Sequence, residues 1–347
     1  MVNEQQKQTM TGLKLPGTGL RIGVMSYAHV HAPGLVSLLK ALGAEVLAAD
    51  LDPARGASSS AAAGVEFVGD YEALLARDLD GVVICAENSE HRKLTERAAA
   101  AGAYVLTEKP LATSVEDGLA MIDACDRAGV GLMTAFPLRF APQIITVAAL
   151  AHGGRLGKIA ALSGANPGSC PGGWFADKDL AGGGCVMDHT VHLADLMCWL
   201  TGAIPTTVYA QTNRMISPQH NIDTGGLVSI TFSDGTIANI DASWSRLGHY
   251  PVWGGLTLEV VGTDGVVQAD PFGEQMLATS QQTKWLRFGA DPNREMVREF
   301  LTSIRERRQP TPSGRDGLLA TAIALAAYRS DEQNAPVAVD LGNSAHA

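Results

Sequence analysis

Ala103-Tyr104-Val105-Leu106-Thr107-Glu108-Lys109-Pro110 is an apolar run that ends on a charge. A strand closing this way delivers an ammonium to the carboxyl edge of a sheet, the edge at which open α/β sheets hold their ligands. Pro110 stops the strand, because it has no N–H to give to a ladder. The Lys109-Pro110 bond is also one that either isomer fits. By itself the tripeptide is equally a solvated charge pair at a surface strand end, so the flanking sequence decides.

Working outward, the first half alternates strands with helices. Apolar strands are expected at 21–25, 45–50, 81–85, the run before Lys109, and 131–135, with helices at about 33–42, 71–75, 90–101 and 115–128. Alternation of this kind predicts a parallel, doubly wound sheet. Past Phe136-Pro137 the pattern changes. A helix with an apolar face at 142–152 precedes strand-like runs at 207–212, 226–232, 236–243, 256–261 and 266–269. Ser233-Asp234-Gly235-Thr236 and Thr263-Asp264-Gly265 between them signal hairpins, and a helical pattern at 317–330 closes the chain. The expected fold is α/β: an N-terminal Rossmann-type doubly wound parallel sheet, then an α+β domain with a largely antiparallel open sheet. The expected divisions are a loose tail at 1–19, a dinucleotide-binding domain at 20–137 and a substrate-binding, oligomerising domain at 138–347.

Composition agrees. The 347 residues exceed the ~250–300 at which single cores stop growing, and a hydrophobic share of 46% argues against disorder. A net charge of −10 disfavours nucleic acid as a partner. The five cysteines form no C-x-x-C pair, the pattern of reduced thiols in a cytoplasmic protein. The first 19 residues carry no apolar core of signal-peptide length. No run approaches the ~20 apolar residues of a membrane span.

The turn after the first strand reads Gly23-Val24-Met25-Ser26-Tyr27-Ala28-His29-Val30-His31. In a dinucleotide fold this turn usually carries G-x-G-x-x-G, so that backbone can approach the pyrophosphate. Here Ser26, Ala28 and His31 occupy the three places. Ser26, Tyr27, Ala28 and His29 are the candidate cofactor contacts of this turn. Asp50, at the end of the second strand, has the position of an acid that binds ribose hydroxyls and favours NAD over NADP; nearby Arg55 keeps NADP open. Ala86, Asn88 and His91 follow the next strand. They are candidates for the cofactor's ribose or nicotinamide side, and Asn88 is equally a helix N-cap.

The second signal is Gly182-Gly183-Gly184 followed by Asp188, His189, His192 and Asp195. On a helix, Asp188, His192 and Asp195 share one face. A histidine one turn from a carboxylate is a plausible acid/base unit, and equally the polar stripe of an amphipathic helix. Asp188, His189 and His192 could supply metal ligands. The pattern is not H-E-x-x-H, however, and the cysteines lack ligand spacing, so no metal is expected.

Taken together, Glu108-Lys109-Pro110, the glycine run and the Asp188/His192/Asp195 helix make the chain resemble the Gfo/Idh/MocA oxidoreductases from about residue 21 to 339. The segment 136–142, with Arg139, is similar to that family's domain crossing. Gly314-Arg315-Asp316-Gly317 also fits. The chain departs from the family pattern in its glycine-poor first turn, at Glu87, at Pro137 and at His189.

The resemblance implies NAD or NADP as cofactor and a sugar, inositol or related polyol as substrate, in a homo-oligomer such as a dimer or tetramer. Glu108 and Lys109 would border the cofactor. Lys109 would assist at the reacting oxygen, Asp188 would hold substrate and support the base, and His192 would transfer the proton. Arg139, Asn166, Trp174 and His189 are further candidates for substrate contact. Two other readings use the same residues: an NAD-retaining glycosidase or lyase that oxidises its sugar only transiently, and a dinucleotide-binding protein without turnover.

Overall fold

A computed structural model describes residues 14–250, 252–273, 275–279, 283–287 and 289–342. Six parallel strands come first: β1 (Arg21–Met25), β2 (Glu45–Ala49), β3 (Glu66–Gly69), β4 (Gly81–Ile84), β5 (Tyr104–Thr107) and β6 (Leu132–Thr134). Their order is β3-β2-β1-β4-β5-β6, the doubly wound arrangement in which strand order reverses between β1 and β4. Ligands bind at the crevice this reversal opens.

Helices cover both faces. Val115–Ala128 starts at Ser114, whose side chain accepts from Asp117 N–H, and stops at the left-handed Gly129. With His91–Ala100 it buries Leu94, Ala98, Met121, Ile122 and Cys125 on one face of the sheet. The other face carries Ala32–Ala41, which buries Leu35, Val36 and Leu39.

A second helix shares that face. Pro292–Glu306 returns from the far end of the chain and adds Met296, Val297, Phe300, Leu301 and Ile304 to the core with Ile22, Val24 and Val83. The N-terminal unit is thus finished by residues from within 138–347. Helix Pro53–Ala63 and strand β3 were not foreseen. The helix has few apolar residues, and its signal was local: Asp52 caps it, accepting from Ala54 and Arg55 N–H, and Pro53 opens it.

The chain crosses at Phe136 through a turn, Pro137–Phe140, and helix Pro142–His152. The second sheet contains β7 (Ile159–Pro167), β8 (Pro205–Asn213), β9 (Gly225–Phe232), β10 (Ile237–Ser243), β11 (Thr257–Gly262) and β12 (Val266–Ala269). A short β13–β14 hairpin (Gln275–Thr279, Thr283–Arg287) stands apart, and β15 (Val337–Ala338) joins the edge. The order is β12-β11-β7-β10-β9-β8-β15, antiparallel except for β7 with β10. Strand β9 alternates exposed with buried residues, so one face is buried and the other open. Helices Cys185–Thr201 and Gly314–Gln333 fill the buried side with Val191, Leu193, Leu196, Ile323 and Ala327. Among the described residues no helix is long and apolar enough to cross a membrane.

Candidate active site

The two units meet at Lys109. Strand β5 ends at Thr107, and the Lys109-Pro110 bond is cis. His91 holds the segment from beneath: its Nδ1 faces the carbonyls of Pro110 (3.0 Å) and Leu111 (3.3 Å). Lys109 is buried, and its Nζ donates to the main-chain oxygen of Asp188 (3.0 Å) and to the Asp188 carboxylate. Asp188 Oδ2 also accepts from Trp244 Nε1 at 3.0 Å and lies 3.1 Å from His189 Nε2. His189 Nδ1 donates to Asn166 O at 2.7 Å. Burial alone would raise the Asp188 carboxyl; the neighbouring ammonium and His189 hold it well below the usual carboxylate range.

His192 lies one turn further along the helix. It lines a cavity of about 440 Å³ together with His31, Glu108, Ala135 and Pro137. Its Nδ1 is buried and has no hydrogen-bond partner among the described residues. Burial, reinforced by the Lys109 charge, holds the imidazole well below its ordinary pKa. A neutral imidazole lining a cavity is equipped to take a proton.

The glycine run makes this approach possible. A Cβ on Gly184 would lie 2.1 Å from Asp223 O, and one on Gly183 would lie 2.2 Å from Tyr328 Oη. Asp223 in turn accepts from Gly184 and Val186 N–H and from Tyr328 Oη, which fixes the helix N-terminus.

Across the cleft, the turn after β1 is built for close backbone approach. Ser26 has φ +77° and accepts from Ala28 N–H on its Oγ. Asp50 is buried and takes four donors: Tyr27 N–H, Asp52 N–H, and Arg55 through Nε and Nη2. A dinucleotide fits here. The small Ala28 permits approach at the turn, while the Asp50 carboxylate at the end of β2 has no exposed surface and is covered by Arg55.

A family model described as "Oxidoreductase family, NAD-binding Rossmann fold" matches residues 22–136, and one described as "GFO/IDH/MocA C-terminal domain" matches residues 144–268. The chain belongs to the Gfo/Idh/MocA oxidoreductase family. Among curated Gfo/Idh/MocA-like relatives, a myo-inositol dehydrogenase of Streptomyces leeuwenhoekii is 31% identical over 326 residues, 89% of this chain and 94% of that one. A 1,5-anhydro-D-fructose reductase of Ensifer adhaerens is 27% identical, covering 93% and 99% of the two chains. The crystal structure of GenD2 from gentamicin A biosynthesis, in complex with NAD, superposes with a TM-score of 0.84 at 27% identity over 93% of this chain and 97% of that one. The Gfo/Idh/MocA chain described here is an NAD-binding oxidoreductase with sugar and polyol dehydrogenases among its relatives.

The structure gathers Lys109, Asp188, His189 and His192, and sets other candidates elsewhere. Arg139, expected at the substrate, is buried. Its Nε and Nη2 are spent on Asp195 (2.8 and 2.6 Å) and Nη2 also on Asp316 (2.9 Å). Asp195 is therefore tied to Arg139, and the partners of Asp188 are Lys109, His189 and Trp244, with no hydrogen bond to His192 among the described residues. Tyr27 turns its ring into the core, where its hydroxyl meets Ser60. Asn88 donates to Ala181 O at 2.8 Å, linking the two units, and Ala86 is buried core. Asn166 donates to Gly255 O. Trp174 stacks on Phe175 and donates to Ala28 O at 3.0 Å, bridging from the second unit to the first turn. Trp244 was missed; its only signal is the alternation of β10, which points Ala242 and Trp244 inward.

Proposed function

We propose that this protein is a reversible dehydrogenase that moves a hydride between a nicotinamide and an alcohol carbon of a sugar, inositol or related polyol. The observation that carries the reading is the buried meeting of Lys109, from the carboxyl edge of the Rossmann sheet, with the Asp188–His192 turn of the opposite helix. Bound NAD supplies the hydride acceptor; the remaining work falls to side chains. Lys109 donates to the reacting oxygen and stabilises its developing negative charge, an electrostatic role strengthened by exclusion from water. Asp188 holds the lysine in place, and Trp244 and His189 hold Asp188. His192, held neutral at the wall of the cavity, takes the hydroxyl proton in oxidation and returns it in reduction. Asp50 at the end of β2 supports NAD, and Arg55, which covers it, leaves NADP open.

The test is a panel of inositols, aldoses and anhydro sugars, each with NAD and NADP, monitored by nicotinamide absorbance. The expected result is lasting NADH accumulation on at least one polyol, slowed ~10²–10³-fold in Lys109→Met. Folded protein that binds NAD yet reduces none across the panel, or a Lys109→Met variant with parental rate, overturns the proposal. Product formed without net NADH would instead identify transient oxidation.

A further inference from the structure

One cluster has no step assigned to it in the chemistry above, although His31 and Glu108 line the same cavity as His192. His29 and His31 stand in the turn after β1, and Glu108 reaches them from the end of β5. One donor atom from each lies within 4.8 Å of the others. Glu108 Oε1 is 3.1 Å from His31 Nδ1 and 3.7 Å from His29 Nδ1. Bond lengths of ~2.0–2.2 Å to zinc place tetrahedral ligands about 3.3–3.5 Å apart. The observed spacings bracket that range, so only small ring movements separate the three groups from a common ion.

The charge balance points the same way. Glu108 is only 2% exposed. The adjacent ammonium, that of Lys109, is spent on Asp188. His29 is buried, and a neutral imidazole is the form that binds metals. A buried carboxylate between two imidazoles therefore lacks a full counter-charge of its own.

The site is also accessible and pre-formed. His29 packs edge-on against Phe175 at 5.2 Å. Its ring accepts one hydrogen bond, from His31 N–H to Nδ1 at 3.2 Å, while Nε2 is buried with no partner among the described residues. An ion therefore displaces two hydrogen bonds, this one and that between His31 Nδ1 and Glu108 Oε1. His31, with 41% of its side chain exposed, provides the way in.

We infer that His29, His31 and Glu108 form a binding site for a divalent first-row cation of the zinc type, with an open coordination position on the His31 side. Two imidazoles and a carboxylate make a donor set that such ions favour. The inference rests on this geometry and does not depend on the dehydrogenase reading.

The test uses full-length protein stripped by a chelator, titrated with Co²⁺ by visible absorption and with Zn²⁺ by calorimetry, without dinucleotide. The expected result is one equivalent of Co²⁺ with ligand-field bands that Zn²⁺ erases. His31→Ala, half-exposed and so safe for folding, should weaken binding by about tenfold or more, as removing a supporting group at a metal site already does. His29→Ala should do the same, and the exposed, remote His152→Ala should leave binding unchanged. Absence of stoichiometric binding, or equal affinity in a folded His29→Ala/His31→Ala double variant, overturns the site. The readouts are spectroscopic and thermal, so failure of the dehydrogenase assay would not mimic failure here.

Discussion

Replacing Arg139 with methionine separates a structural arginine from a substrate-binding one. The guanidinium makes two bonds to Asp195 and one to Asp316, and lies 5.1 Å from the centre of the Trp199 ring. Methionine keeps most of the stem and removes the charge together with the N–H donors. Asp316, with 30% of its side chain exposed, can rehydrate cheaply. Asp195, 1% exposed, cannot. Stranding one member of a buried pair costs ~3–5 kcal/mol, so Arg139→Met should lose about that at pH 8.

The cost should depend on pH. Burial pushes the Asp195 carboxyl up to about 7 even against the pull of Arg139. Without the arginine it rises further. A carboxyl whose folded pKa is raised loses stability as pH climbs towards and through that value. In the variant this loss continues above the point where the parent has finished titrating. The deficit should therefore widen from about pH 7 upward, by as much as ~1.4 kcal/mol per unit. Urea denaturation at pH 6 and pH 8 measures both effects, with KM determined on the folded fraction. A deficit under ~1 kcal/mol at both pH values, accompanied by a large rise in KM, would refute the reasoning and return Arg139 to the cleft.

Other outcomes follow from the same geometry. Lys109→Met should cost ~10²–10³ in kcat, the loss typical of an oxyanion-stabilising donor, while dinucleotide binding by calorimetry persists. His192→Asn should cost ~10²–10⁴ in kcat/KM. In the parent, kcat/KM should show no acid limb near the ordinary histidine value of 6.5, because burial and Lys109 hold that imidazole well below it; a limb there would mean a water-exposed ring. Trp174→Phe removes the donor to Ala28 O, worth ~1 kcal/mol, and should weaken NAD binding about fivefold in a fluorescence titration. Leu227, Ile237 and Val266 are exposed on strands of the open sheet. If that face joins subunits, Leu227→Glu should lower the mass seen by light scattering from dimer or tetramer; an unchanged mass would assign the face elsewhere.

Strand ends and capping residues made much of this fold legible. Helix Val115–Ala128 could be placed because Ser114 and Gly129 mark its ends, and the β9–β10 and β11–β12 turns were marked by Asp-Gly. Strand β7 stayed hidden although it is central to the second sheet: Ser163, Gly164 and Asn166 dilute its pattern, and its value lies in neighbours supplied by distant chain. Helix Pro292–Glu306 carried a readable stripe, Met296-Val297-Phe300-Leu301-Ile304, but nothing local says which unit the stripe covers. In the site, the types and spacing of Lys109, Asp188 and His192 were visible, and partner choice was not. Arg139 and Asp195 are 56 positions apart, and only packing reveals that they satisfy each other.

That returning helix sets an order on synthesis. The face of β1 and β4 that Phe300 and Leu301 cover stays uncovered by them while the ribosome makes residues 137–291. At ~5–20 residues per second this takes roughly 10–30 s. Throughout that interval the nascent N-terminal unit displays an unfinished apolar surface, the kind that holding chaperones bind and neighbouring chains stick to. A gene rearranged so that 292–306 is translated first would close that window, and its product should depend less on chaperones for the same final structure.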